Sequence, residues 1–216
     1  MNFLAHCLVA ERAWMASADE LLGATLSDLA AMAGVRFDVG ALPEEIAAGV
    51  RCHWDADRAF HADPAFVEGA GAIRRALAAA GVAVGPSRAV GHAGWELLLD
   101  GTPAVQKGAA RGFATALGRA TEAAVALGPS DATRWAALGR RMGGGAWWSG
   151  YAEPAFVAER LFGMLGRRPR LAFGARELPV VTEVLSSVRP AVMATADAVL
   201  DRVVEKVRAQ AGATPT

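Results

Sequence analysis

Apolar residues recur at helical spacing along most of the chain, while the alternation expected of half-buried strands is weak. Phe3, Cys7, Ala10 and Trp14 share a stripe behind Asn2, which is placed to cap a first helix. Ser17 and Glu20 have the spacing of a capping box for a second helix that ends before Gly34. A third starts with Pro43 in its first turn and runs through "PEEIAAGVRCHWDADRAFH". Ile46, Val50 and Phe60 mark its apolar stripe, and Glu44, Arg51, Asp55 and Arg58 mark the solvated face. A short helix around "GAIRRALAAAG" leads to Ser87, placed to cap the segment "RAVGHAGWELLLDG". Further helices are expected at 104–126, 131–142 and 154–165, and a long one at 178–209 with a kink at Pro190. "GVAVG" is short and fits a turn after a helix. The pattern predicts an all-α helical bundle, one domain over 1–210 with a frayed tail at 211–216.

Composition narrows the function classes. The chain has 216 residues, 53% hydrophobic and 20% charged, a globular balance. Its 22 basic and 22 acidic residues give no global attraction to nucleic acid or an anionic membrane. No apolar run is long enough to span a bilayer, and the opening lacks the basic flank of a signal peptide, so a cytoplasmic protein is expected. Two cysteines, Cys7 and Cys52, make no disulfide framework. Each adjoins a histidine, but neighbours on a helix diverge by about 100°, so buried free thiols are expected rather than zinc ligands.

The polar residues on apolar faces are more informative. His53, Asp57 and His61 follow one another at i, i+4, i+8, and His92 and Glu96 repeat the spacing beside Trp95 and Leu99. Asp28 sits with Thr25 and Leu29, facing the core. Of "DAD", Asp55 belongs to the surface and Asp57 to the buried side with His53. A buried, unpaired carboxylate costs several kcal/mol unless it is neutralised, and helical bundles build metal sites from inward-facing Asp, Glu and His. Asp28, His53, Asp57, His92 and Glu96 are expected to converge on one pocket around a divalent cation. The same pairs also suit ordinary charged hydrogen bonds. No Walker loop, HExxH or GxSxG is present.

The segments "MNFLAH", "LLGATLSDL", "AGVRCHWDAD" and "FGMLGRRPRL", in that order, resemble the acyl carrier protein phosphodiesterase family, the holo-ACP hydrolases. The resemblance runs from Met1 to about Leu171, and its most specific parts are the opening hexapeptide and "RRPRL". It implies a helical relative of the HD-domain metal phosphohydrolases. Such an enzyme uses a divalent cation such as manganese and cuts the phosphodiester that joins 4′-phosphopantetheine to the carrier's serine. The family's first histidine matches His6, the aspartate after its Gly-Asn-Leu-Leu segment matches Asp28, and its His-x-x-x-Asp pair matches His53 and Asp57.

Where the family carries a further aspartate this chain has His61, and the later Asp-x-x-x-Asp-His segment stands here as His92, Glu96 and Leu97. The richer nitrogen content favours iron, zinc or cobalt over manganese. His6, Asp28, His53, Asp57, His61, His92 and Glu96 are the expected ligands, with Asp57, His92 and Glu96 as candidates for acid–base work. A divergent member that binds a carrier without hydrolysing it, or a metal enzyme with another substrate, fits the same departures. The expected partner is an acyl carrier protein or similar phosphopantetheinylated carrier. Arg167, Arg168 and Arg170, with Arg160 and Arg176 nearby, are the candidates for gripping its phosphate or acidic surface. Arginines after a helix end also complement its dipole.

Overall fold

The computed structural model describes residues 1–14, 16–120, 129–142 and 147–212, and every regular element among them is helical. In chain order these are α1 (Phe3–Trp14), α2 (Ala18–Ala33), α3 (Glu44–His61), α4 (Pro64–Ala79) and α5 (Val84–Asp100). They continue with α6 (Pro103–Ala120), α7 (Pro129–Met142), α8 (Pro154–Leu165) and α9 (Leu178–Gly212). Short 3-10 turns lie at Val39–Ala41 and Trp147–Ala152. Among the described residues no helix is long and apolar enough to cross a membrane.

Local chemistry accounts for most boundaries. Ser17 and Glu20 form the reciprocal capping box, and α2 ends at Gly34, whose φ of 66° is left-handed and costs glycine nothing. Asp63 caps α4 by accepting from the Ala65 amide at 2.9 Å, with Pro64 in the first turn. That Asp-Pro signal makes α4 longer at its start than the apolar pattern around "GAIRRALAAAG" suggests. Ser87 is not a cap: α5 starts earlier, at Val84, and the Ser87 hydroxyl donates back to the Val82 carbonyl at 3.1 Å. "GVAVG" is a turn entering α5, and Gly81 carries a φ of 85°. Pro43 precedes α3 and offers its carbonyl to the Ala47 amide at 2.9 Å. The helix α9 continues through Pro190 as far as Gly212. The expected positions 121–126 of the sixth helix and 213–216 of the tail lie outside the described residues.

Where length suggests one domain, the chain divides into two compact units. The first takes Met1–Ala59, Val105–Trp147 and Leu200–Thr216, and the second takes Phe60–Ala104 and Trp148–Val199. In unit one α1 lies on α2 and α2 on α7. Helix α1 is buried all round from Phe3 to Ala10 rather than along one face, and Trp14 at its end is only half-buried. Phe3 stacks on Phe113 at 5.6 Å and meets the edge of Trp147 at 6.2 Å. Helices α2 and α3 touch through glycines: a Cβ on Gly23 would stand 2.1 Å from the Ile46 carbonyl oxygen, and one on Gly49 would stand 2.1 Å from that of Glu20. Only glycine permits that approach, and it brings the backbone of α2 against the face of α3 that carries Ile46, Gly49 and His53.

Unit two is built on α4 against α5 and α5 against α8. Trp95 is the largest of its fully buried side chains, with Phe60 at 5.5 Å and Phe66 at 5.7 Å. Ile73, Leu77, Leu161 and Leu185 complete an interior with no exposed surface.

Candidate functional site

Three donors in unit one meet. His6 on α1, Asp28 on α2 and His53 on α3 each offer one ligand atom, and these atoms all lie within 4.8 Å of one another. The His6 and His53 rings stack with centroids 3.8 Å apart. The fourth expected residue, Asp57, sets Oδ1 3.2 Å from His6 Nε2 and Oδ2 3.7 Å from His53 Nε2. The four residues expected as ligands in this unit are therefore neighbours.

Hydrogen bonding defines the state of the rings. His53 Nδ1 lies 2.9 Å from the Ala24 carbonyl, which only accepts, so the neutral ring carries its proton there. Nε2 is left with a lone pair facing a carboxylate oxygen, an arrangement in want of a cation. Histidines that bind metals commonly hold the other ring nitrogen on a carbonyl in this way. His6 is 1% exposed, and its Nδ1 meets no hydrogen-bond partner among the described residues. Burial, with the neighbouring His53, lowers its pKa to about 3, so the ring is neutral at physiological pH. A buried ring nitrogen without a partner costs about 1–3 kcal/mol, which a metal bond would offset.

Asp57 stays ionised. Burial alone would raise its carboxyl, but the His6 hydrogen bond and the Met1 α-ammonium hold it well below the usual carboxylate range. That ammonium donates to Oδ1 at 2.7 Å, a contact that no motif announces. Asp55 and Asp57 prove equally exposed, each with 32% of its side-chain surface accessible, so burial does not separate them as the pattern suggests. Partners do: Asp55 pairs with Arg58 at 2.9 Å, and Asp57 faces the imidazoles.

His61, His92 and Glu96 form a second group in unit two, again with one donor atom from each within 4.8 Å. The pattern predicts one convergent set of ligands; the structure assembles the candidates as two groups, one in each unit. Glu96 Oε1 lies 3.0 Å from His61 Nε2 and 3.1 Å from His92 Nε2. Burial would raise the Glu96 carboxyl, hydrogen bonds from both imidazoles pull the other way, and it sits below the usual range. Leu97, beside it on α5, is buried and supplies no donor.

The cysteines are free and buried, and burial pushes the Cys52 thiol up to about 12, which keeps it protonated. Arg167, Arg168 and Arg170 are exposed just beyond α8, which ends at Leu165. The Arg168 amide donates to the Leu165 carbonyl at 2.8 Å, closing the last turn.

The residues missed in the sequence are those that orient the ligands. Ala24 acts through its carbonyl, which composition does not reveal; the nearby Gly23 and Gly49 were the available signal. Phe66 packs on His61 at 5.1 Å and on His92 at 5.3 Å, and reads in the sequence as an ordinary core residue. Comparison with family profiles, curated proteins and solved structures finds no match to this chain.

Proposed function

We propose that the chain is a metal-dependent phosphodiesterase resembling the holo-ACP hydrolases, acting on a phosphopantetheinylated carrier protein. The observation that carries this reading is the meeting of His6, Asp28 and His53 donors within 4.8 Å, with Asp57 facing both imidazoles. Two neutral rings and two carboxylates suit a divalent cation, and the lone pair of His53 and the unpartnered nitrogen of His6 supply the fit. Manganese follows from the resemblance, while iron, zinc or cobalt suits the imidazoles better. A cation bound there supplies Lewis-acid polarisation of a phosphoryl oxygen and activation of water at neutral pH.

The chain's own residues have separable tasks. Ala24 fixes the His53 ring and its tautomer. Asp57, kept ionised, lies 3.2 Å from His6 Nε2 and is a carboxylate able to take a proton from an attacking water. Arg167 and Arg168, exposed after α8, supply bidentate donors for a carrier's acidic surface or phosphate.

The test measures release of phosphopantetheine from a holo-carrier, and cleavage of bis(p-nitrophenyl) phosphate, with added manganese or cobalt. The wild-type chain is expected to cleave both, and the His53→Ala/Asp57→Ala double variant to fall to the rate of the metal ion in buffer. A folded double variant with wild-type activity overturns the assignment. A wild-type chain that binds the carrier and cleaves neither substrate points instead to a non-hydrolytic binder.

A further inference from the structure

The second group of donors, in unit two, has features of a site in its own right. His92 and Glu96 stand one turn apart on α5, and His61 ends α3, so two helices contribute. Both imidazoles aim Nε2 at the same carboxylate oxygen, at 3.0 and 3.1 Å. Ligands about 2.0–2.1 Å from a metal stand about 2.9 Å apart at right angles and about 3.4 Å apart in a tetrahedron. Those two spacings therefore already match adjacent corners of a coordination shell.

The rings are held, not loose. Phe66 packs on both imidazoles, at 5.1 and 5.3 Å, and Phe60 meets the His61 ring at 5.5 Å. Glu96 is mostly enclosed, with 14% of its side chain exposed, while His61 and His92 keep 34% and 53%. The carboxylate is thus the enclosed donor, and both imidazoles reach solvent. Two imidazoles and one carboxylate suit iron, cobalt, nickel or zinc rather than magnesium or calcium.

We propose that His61, His92 and Glu96 bind a divalent transition-metal ion in unit two, in addition to any ion held by the His6 group. The site goes beyond the phosphodiesterase reading and stands even if the His6 group proves empty. The same three side chains without a metal would be a carboxylate with two imidazole hydrogen bonds, and the experiment separates the cases.

The full-length chain, stripped with a chelator, is titrated with Co2+ alone, following visible d–d absorption and calorimetric stoichiometry. Glu96→Gln preserves shape and hydrogen bonding, His92→Ala removes a ring that is half exposed, and circular dichroism confirms that both are folded. One equivalent of Co2+ weakened about 100-fold or more in both variants, and retained in His53→Ala, supports the site; changing a mere supporting residue already costs 10–100-fold. Cobalt binding that neither Glu96→Gln nor His92→Ala alters overturns it and leaves the His6 reading intact. Loss of all cobalt binding in His92→Ala and equally in His53→Ala also overturns it, because the three residues would then hold no ion of their own. Conversely, if His53→Ala changes nothing while His92→Ala abolishes the uptake, the unit-two site stands and the His6 reading fails.

Discussion

Replacing Gly49 by alanine probes the contact that aligns α2 with α3. The new Cβ would stand 2.1 Å from the Glu20 carbonyl oxygen and 2.8 Å from the Ala24 amide nitrogen, both backbone atoms that no rotamer change can remove. Ordinary contact distance requires the helices to part by at least about 1 Å. His53 Nδ1 would then move from 2.9 Å to well beyond hydrogen-bond reach of the Ala24 carbonyl. Overpacking costs about 1–3 kcal/mol, and a buried ring nitrogen left without its partner about 1–3 kcal/mol more. The better helix propensity of alanine returns about 1 kcal/mol. The net loss of about 1–5 kcal/mol lowers the melting temperature of a chain this long by roughly 2–20 °C. The assay is a thermal melt of chelator-stripped protein, so that metal binding does not mask the change. Gly118 on α6 is the control, since a Cβ there meets nothing within 4 Å; Gly118→Ala should leave stability unchanged or slightly raised. A Gly49→Ala melt that matches the Gly118→Ala melt would refute the close crossing.

Acid should unfold the stripped chain early. Folded His6 stays neutral down to about 3, whereas unfolded His6 takes up its proton from 6.5 downward, so the unfolded state binds more protons across that window and stability falls with pH. Between pH 6.5 and 5 the loss is about 2 kcal/mol in urea titrations, and His6→Phe should flatten the slope; an unchanged slope contradicts the buried neutral ring. Asp57 adds a further loss at lower pH, because its depressed carboxyl stabilises the fold above its unfolded value of 3.8 and ceases to do so once protonated. Arg167→Gln/Arg168→Gln should slow hydrolysis of a carrier substrate and flatten its salt dependence while sparing a small phosphodiester. Equal loss on both substrates with a lower melting temperature would make these arginines structural.

Much of the fold is legible because helical signals are local. The capping box at Ser17 and Glu20 and the glycine at Gly34 need no tertiary information, and the structure uses all three. Ser87 misleads because a serine inside a helix can bond backward to a carbonyl, and only the structure shows that α5 begins three residues earlier. The division into two units is invisible in composition, since α3 and α9 each run across a boundary without any break in helical pattern. At the candidate site, spacing finds the histidines and acids but not their grouping: one turn along α3 separates Asp57, facing His6, from His61, facing Glu96. The equal exposure of Asp55 and Asp57 has the same origin, because facing an apolar stripe does not fix how closely a neighbouring helix covers it.

The most direct measurement is the anomalous scattering of a crystal grown with manganese or cobalt, recorded at the metal's absorption edge. The expected result is a peak about 2.0–2.3 Å from a ring nitrogen of His6, from His53 Nε2 and from carboxylate oxygens of Asp28 and Asp57. A difference map with no peak among these four residues, in crystals where the same metal is bound elsewhere, would contradict the metal centre and the hydrolytic reading built on it.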